Sequence, residues 1–306
     1  MRPAPLAALL LAVACSTSER ASTPAAAPPA TPDWEVENPV RPLPPSPLGV
    51  AAEIADLVPR VTPEKVRLGR WLFYEKRMSA DGSVSCATCH RPENAFSEPT
   101  PVSTGIHGQQ GKRKSPTFLN AAWAMNPAFF WDGRAGTLED HALGPVGNPI
   151  EMGNTVEAMI QTLGGIQAYS KYFQEAFGSP EITKERVAKA IADYERTRMS
   201  GNSPWDRWRA GDEAAVSDEV KKGHDLFFGK AECNLCHLGQ NFTDSSFHNL
   251  GIGWDPKARK FADDILPRIS FSMISRPESC ETEVLRDGVL SKRDFGRRDR
   301  CGKKKR

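Results

Sequence analysis

The chain has 306 residues, 39% of them hydrophobic and 25% charged, with 25 Pro and 7 Cys. That balance excludes a membrane bundle and a wholly disordered chain, and a formal net charge of +2 gives no cationic footprint for nucleic acid. Prolines crowd the first 60 residues, so the opening of the chain differs in kind from the rest.

Arg2 leads an apolar run from Leu6 to Ala14. That run is roughly half of what spans a bilayer and reads as a secretory signal over residues 1–14. Leu11-Ala12-Val13-Ala14-Cys15 resembles a lipoprotein cleavage site, which would place a lipid anchor on Cys15. Residues 15–50 are rich in Ala, Pro, Ser and Thr. Such a segment buries too little apolar surface to offset its ordering entropy and is expected to be a disordered tether.

Helical punctuation follows. Thr62-Pro63-Glu64 supplies a cap, a proline at the first helical position and an acid in the first turn, with Leu68, Trp71, Leu72 and Glu75 at helical spacing. Asn154 with Glu157 predicts a capping box ahead of Val156, Met159, Ile160 and Leu163. Thr183 predicts a helix with the stripe Val187, Ala190, Ile191 and Tyr194, and Ser217 caps a fourth. Alternating strand patterns are absent, so the body is mostly α.

An internal repeat organises that body. Val66, Gly69, Leu72 and the aromatic pair Phe73-Tyr74 keep register with Val220, Gly223, Leu226 and Phe227-Phe228. Each copy runs on to a Cys-x-x-Cys-His, at Cys86, Cys89 and His90 and again at Cys233, Cys236 and His237. Two similar modules are implied. Two thiols three positions apart can form thioethers to the vinyl groups of one haem, with the next imidazole on its iron. A four-cysteine zinc site or two redox disulfides would also use these thiols, but neither explains a histidine after both pairs. The motifs therefore point to two covalently bound haem c groups. Cys280 and Cys301 stand outside any motif.

A haem that reacts with peroxide needs a nearby acid–base group. Outside the two motifs the histidines are His107, His141, His224 and His248. Between them lie Phe130-Trp131-Asp132-Gly133-Arg134-Ala135 and Gly144-Pro145, then Asn148-Pro149, Glu151 and Met152. With the Leu68-Gly69-x-x-Leu72-Phe73-Tyr74 approach to the first motif, these runs resemble the bacterial di-haem cytochrome c peroxidases and MauG-like enzymes over about residues 60–261.

The resemblance implies two cytochrome c-like domains, at 51–205 and 206–263, the second incomplete. It implies that His90 is the proximal ligand of the peroxidatic haem and His237 that of the electron-transferring haem. Glu151 matches the distal acid–base carboxylate, Trp131 a tryptophan between the haems, and His107 a displaceable sixth ligand on a mobile loop. Each has a plainer reading: a helix-dipole partner for Glu151, packing for Trp131, a solvated loop residue for His107. Arg134 would steady a haem propionate or a local carboxylate.

The chain departs from the family pattern at three places. His141 stands where relatives carry a distal glutamine; a histidine there would titrate near neutrality, compete with Glu151 or approach the iron. Lys114 stands where the family places an asparagine of a calcium site, and its ammonium argues against calcium there. From about Asp264 the chain turns Ser-, Arg- and Lys-rich and ends in a basic run, without the family segments that supply the second haem's distal ligand. A reading-frame disruption would produce such a tail over 264–306, as would an evolved basic tail for an anionic partner. Met273, and after it His248, are the substitutes for that ligand.

The activity implied is the reduction of hydrogen peroxide to water with electrons from a small cytochrome c or copper protein, in the periplasm. A MauG-like oxidase of a protein substrate and a non-catalytic electron carrier are the rivals. The expected partners are hydrogen peroxide, that redox protein and a second copy in a homodimer, with no nucleic acid.

Overall fold

The structure is a computed structural model and describes residues 38–50, 53, 56, 60–124, 128–248, 254–255 and 260–261. The signal segment, most of the tether, the 264–306 tail and Met273 lie outside the described residues. What is described is mostly helical: α1 (Pro63–Tyr74), α2 (Cys86–Cys89), α3 (Leu138–Gly147), α4 (Val156–Gly164), α5 (Gln167–Phe177), α6 (Lys184–Arg196), α7 (Pro204–Arg209) and α8 (Asp218–Phe228). A two-residue antiparallel pair, β1 (Trp254–Asp255) with β2 (Lys260–Phe261), is too short to show an alternating pattern in sequence. No described helix is long and apolar enough to cross a membrane.

Helix α1 starts where its cap dictates. The Thr62 side chain accepts from the Lys65 N–H, Pro63 fills the first turn and Glu64 faces the positive end of the dipole. Its inner face is Leu68, Leu72 and Phe73, all fully buried. That face lies along α6, whose Val187, Ala190 and Ile191 are likewise fully buried. Gly69 permits the crossing: a Cβ there would sit 1.8 Å from the Ala190 carbonyl oxygen, so the two backbones approach as only glycine allows.

Helix α4 is capped by Thr155, whose side chain accepts from the Ala158 N–H, and not by Asn154 as the sequence suggested. The Asn154 amide is already committed, donating to the Met78 carbonyl at 2.9 Å. Residues 38–50, expected within the tether, lie partly against the body. Asn38 is buried and donates to the Arg67 carbonyl, and the Asn202 N–H donates to the Leu48 carbonyl at 2.7 Å. These bonds anchor a segment that composition alone leaves unordered.

Helix α3 is tied to α6 by charge. Arg196 grips both oxygens of Glu139, at 2.9 and 2.8 Å, and also bonds the fully buried Asp193. Such a pair is geometrically specific, and removing one partner would leave a buried charge exposed to the full desolvation penalty. It fixes the register of α3, which carries His141. By contrast, α8 buries no residue: Val220, Leu226 and Phe228 are exposed, and a Cβ on Gly223 would meet no described atom within 4 Å. The glycine that lets α1 receive α6 recurs in α8 without a corresponding helix among the described residues.

Candidate functional site

The first cysteine motif rests on an aromatic floor. Phe73, Phe118 and Tyr194 form a buried cluster against which Phe96, Cys86 and Ala87 pack. Phe118 lies 5.6 Å from Phe73 and 5.4 Å from the His90 ring, centre to centre. Cys86–Cys89 makes one helical turn, and the His90 N–H donates to the Cys86 carbonyl at 2.9 Å. Cysteine and histidine side chains are therefore presented in a fixed order by local backbone bonds.

The His90 ring is oriented by the main chain. Its Nδ1 lies 3.0 Å from the Phe96 carbonyl oxygen, which only accepts, so Nδ1 carries the proton and Nε2 keeps its lone pair. Phe96 reaches that position from the left-handed region, with φ of 55°. This is an unfavourable conformation for a bulky residue, of the kind found where a site imposes it. The second motif repeats the device. The His237 Nδ1 lies 3.1 Å from the carbonyl oxygen of Phe242, whose φ is 50°. These two phenylalanines escaped the sequence reading; continuing the repeat past the histidines to Asn94-Ala95-Phe96 and Asn241-Phe242 would have flagged them.

Above the first motif is a cavity of about 400 Å³, lined by Cys86, Cys89, His90, Phe130, Trp131, Arg134, His141, Asn148 and Glu151. Lys112, Arg113 and Lys114 add cationic lining. The structure thus brings together the first Cys-x-x-Cys-His, Glu151, Trp131 and His141. His107 is not among the lining residues. Its ring is 66% exposed and its Nδ1 stands 3.5 Å from Asp81. The loop carrying it is nonetheless tied to the site, because the Ile106 N–H donates to the Glu151 carbonyl at 2.9 Å.

Burial raises the pKa of the Glu151 carboxyl; the Arg134 charge and a 2.8 Å bond from the Asn148 amide oppose that without cancelling it. Burial drives the His141 pKa down to about 3, and coupling to His90 and to the Arg134 charge acts in the same direction. The imidazole is thus neutral, which corrects the expectation of a group titrating near neutrality. Burial likewise raises the Cys86 and Cys89 thiols, to about 12 and about 11. Trp131 stands at the cavity's edge, 57% exposed, with its Nε1 donating to the Lys114 carbonyl at 2.6 Å. Arg134 lies 3.6 Å over the Phe130 ring and pairs with Asp132, which also pairs with Arg113.

The donor set fits a haem at the first site: two unbridged thiols, an imidazole oriented by a main-chain carbonyl, a cavity and cationic side chains for propionates. Cys233, Cys236 and His237 offer the same donors in a more open setting, beside the exposed Leu235. A calcium ion does not fit at Lys114, whose side chain is cationic and whose carbonyl already accepts from Trp131.

Glu195 was not anticipated. It is buried at the cavity wall, 2% exposed, and one of its oxygens has no partner. Burial raises its pKa to about 8, with Arg196 opposing and Glu139 reinforcing. The folded chain therefore holds a proton that the unfolded chain releases above pH ~4.3, and stability falls as pH climbs from there through about 8. Urea midpoints of wild type and Glu195→Gln should nearly coincide at about pH 4, below the unfolded pKa. At pH 8 the variant should be the more stable by at least ~1.4 kcal/mol, one pKa unit's worth. Equal midpoints at both pH values would show Glu195 to be ionised in the fold.

The family described as di-haem cytochrome c peroxidase matches residues 63–214. The methylamine utilization protein MauG of Methylorubrum extorquens is 40% identical over 236 residues, covering 75% of this chain and 66% of that protein. The cytochrome c551 peroxidase of Nitrosomonas europaea is 37% identical, covering 63% of this chain and 57% of its own length. Among solved structures, a MauG-like protein associated with microbial copper homeostasis superposes with a TM-score of 0.54 at 31% identity, covering 67% of this chain and 60% of that one. The chain thus spans somewhat under two thirds of the length of these relatives.

Proposed function

Because the chain belongs to the di-haem cytochrome c peroxidase family, we propose that it is an exported protein carrying two covalently attached haem c groups and that it reduces hydrogen peroxide to water. Its electrons come from a small cytochrome c or copper protein, two per peroxide. The observation that carries this reading is the placement of Glu151 in the same cavity as Cys86, Cys89 and His90.

When bound, haem c supplies the iron at which the peroxide O–O bond is cleaved and through which the electrons arrive. Cys86 and Cys89 hold the first group by thioethers, and His90 presents Nε2 to it with the Phe96 carbonyl fixing the ring. Glu151, with its pKa raised by burial, takes a proton from the near peroxide oxygen and returns it to the leaving oxygen. Asn148 holds that carboxylate at 2.8 Å and sets its direction. Trp131, at the cavity edge, is assigned the conduction of electrons between the two modules on the strength of the family resemblance. Cys233, Cys236 and His237 serve the second haem.

A second reading, an oxidase that withdraws electrons from a protein substrate, draws on the 40% identity to MauG. One experiment separates the readings. The full chain, produced in a host competent in cytochrome maturation, should show two haems per polypeptide by pyridine haemochrome and should oxidise reduced cytochrome c only when peroxide is added. Two haems without that oxidation would turn the assignment to the oxidase or to a plain electron carrier. A colourless product would end it.

A further inference from the structure

We infer that His141 is the second protein ligand to the iron held by His90, filling its sixth position at rest. This inference rests on the haem reading above and assigns to a residue of α3 the part that the resemblance gives to His107.

The spacing of the two rings matches that of two imidazoles sharing one metal. The His90 and His141 ring centres are 5.9 Å apart, with their planes at 73°. Two imidazoles whose nitrogens each stand ~2 Å from a shared metal have ring centres roughly 6 Å apart. Both rings line the same cavity.

A buried histidine that merely packs usually satisfies its ring nitrogens with hydrogen bonds. His141 does not: it is 5% exposed and its Nδ1 has no partner. The ring cannot easily turn away, since Phe130 lies 4.5 Å and Phe129 5.9 Å from its centre. Its helix is held by the Glu139–Arg196 pair. His107 lacks these features: it is solvent-exposed, beside Asp81 and outside the cavity lining.

The test uses the haem-loaded full chain in the ferric state, with spin state read by electron paramagnetic resonance and optical spectra. In His141→Gln one additional high-spin iron per chain should appear at an unchanged haem count, whereas His107→Gln should leave the spin balance of wild type. Cyanide should bind His141→Gln at least tenfold more tightly than wild type, because no protein ligand has to leave. No gain of high-spin iron in His141→Gln, or the same gain in His107→Gln, overturns the assignment. If His141→Gln fails to fold, wild type still decides: absence of a bis-imidazole band in its near-infrared magnetic circular dichroism overturns the inference. A chain without haem would defeat the functional reading itself, and a haem-loaded chain lacking that band would defeat only the His141 ligand.

Discussion

Glu151→Gln is expected to lower peroxide-dependent oxidation of reduced cytochrome c by about 10²- to 10⁴-fold, the range that a positioned acid–base group contributes. The substitution preserves shape and the bond partner Asn148 while removing the exchangeable proton. Two features of the site prepare the carboxyl for this role. Burial raises its pKa and so eases its protonation, while the Arg134 charge and the Asn148 bond oppose that rise. The loss should fall on kcat, because the group acts in bond cleavage and not in retaining peroxide. Haem content and the ferric spectrum should match wild type. Turnover within a few-fold of wild type would remove Glu151 from the mechanism and leave it as a wall residue of the cavity.

The second large effect concerns the fold. Gly69→Ala is expected to destabilise the first module by about 3 kcal/mol, because its Cβ would fall 1.8 Å from a main-chain oxygen of α6 that cannot rotate aside. The helices must separate, and Leu68, Leu72 and Phe73 then lose contact with Val187 and Ile191 along the same seam. The matching change in the other repeat should behave oppositely. A Cβ on Gly223 meets no described atom within 4 Å, so Gly223→Ala should gain roughly 0.5–1 kcal/mol of helix stability. Thermal melts of the two variants beside wild type measure both. Similar losses for the two would show that α8 also receives a close helix; no loss for Gly69→Ala would show the α1–α6 crossing to be looser than drawn.

Much of this was readable from residues. Thr62 and Thr183 mark helix starts because a cap is a local event between a side chain and an amide a few residues on, and Ser217 stands at the N-cap of α8 without such a bond. The paired Cys-x-x-Cys-His carries its chemistry in residue type and spacing, whereas Glu151 stood out only through the family resemblance. Helix α5 was less legible although Tyr169, Tyr172, Phe173 and Ala176 are buried at helical spacing, because its N-cap, Ile166, offers no side-chain bond and gives no start signal. Thr155 lost to Asn154 as an expected cap because the competing bond to Met78 is 76 residues away in sequence. Position decided the histidines. Type alone cannot say that His141 points inward, neutral and crowded by Phe129 and Phe130, while His107 faces water and Asp81. The Phe96 and Phe242 carbonyls were harder to read, since a main-chain acceptor has no residue type of its own and only the Asn-Phe recurrence after each histidine hints at it.

On the proposed two-haem reading, those two carbonyls bear on where a division of labour between the centres can arise. Each imidazole is steadied by a neutral amide oxygen at nearly the same distance, so the electronic push from behind is matched in the two halves. No side-chain substitution can swap that acceptor for a carboxylate and make one iron more electron-rich than its twin. Asymmetry between them has to be written on the opposite face and in the depth of cover: His141 and Glu151 inside a walled chamber for one, an open shelf beside Leu235 for the other.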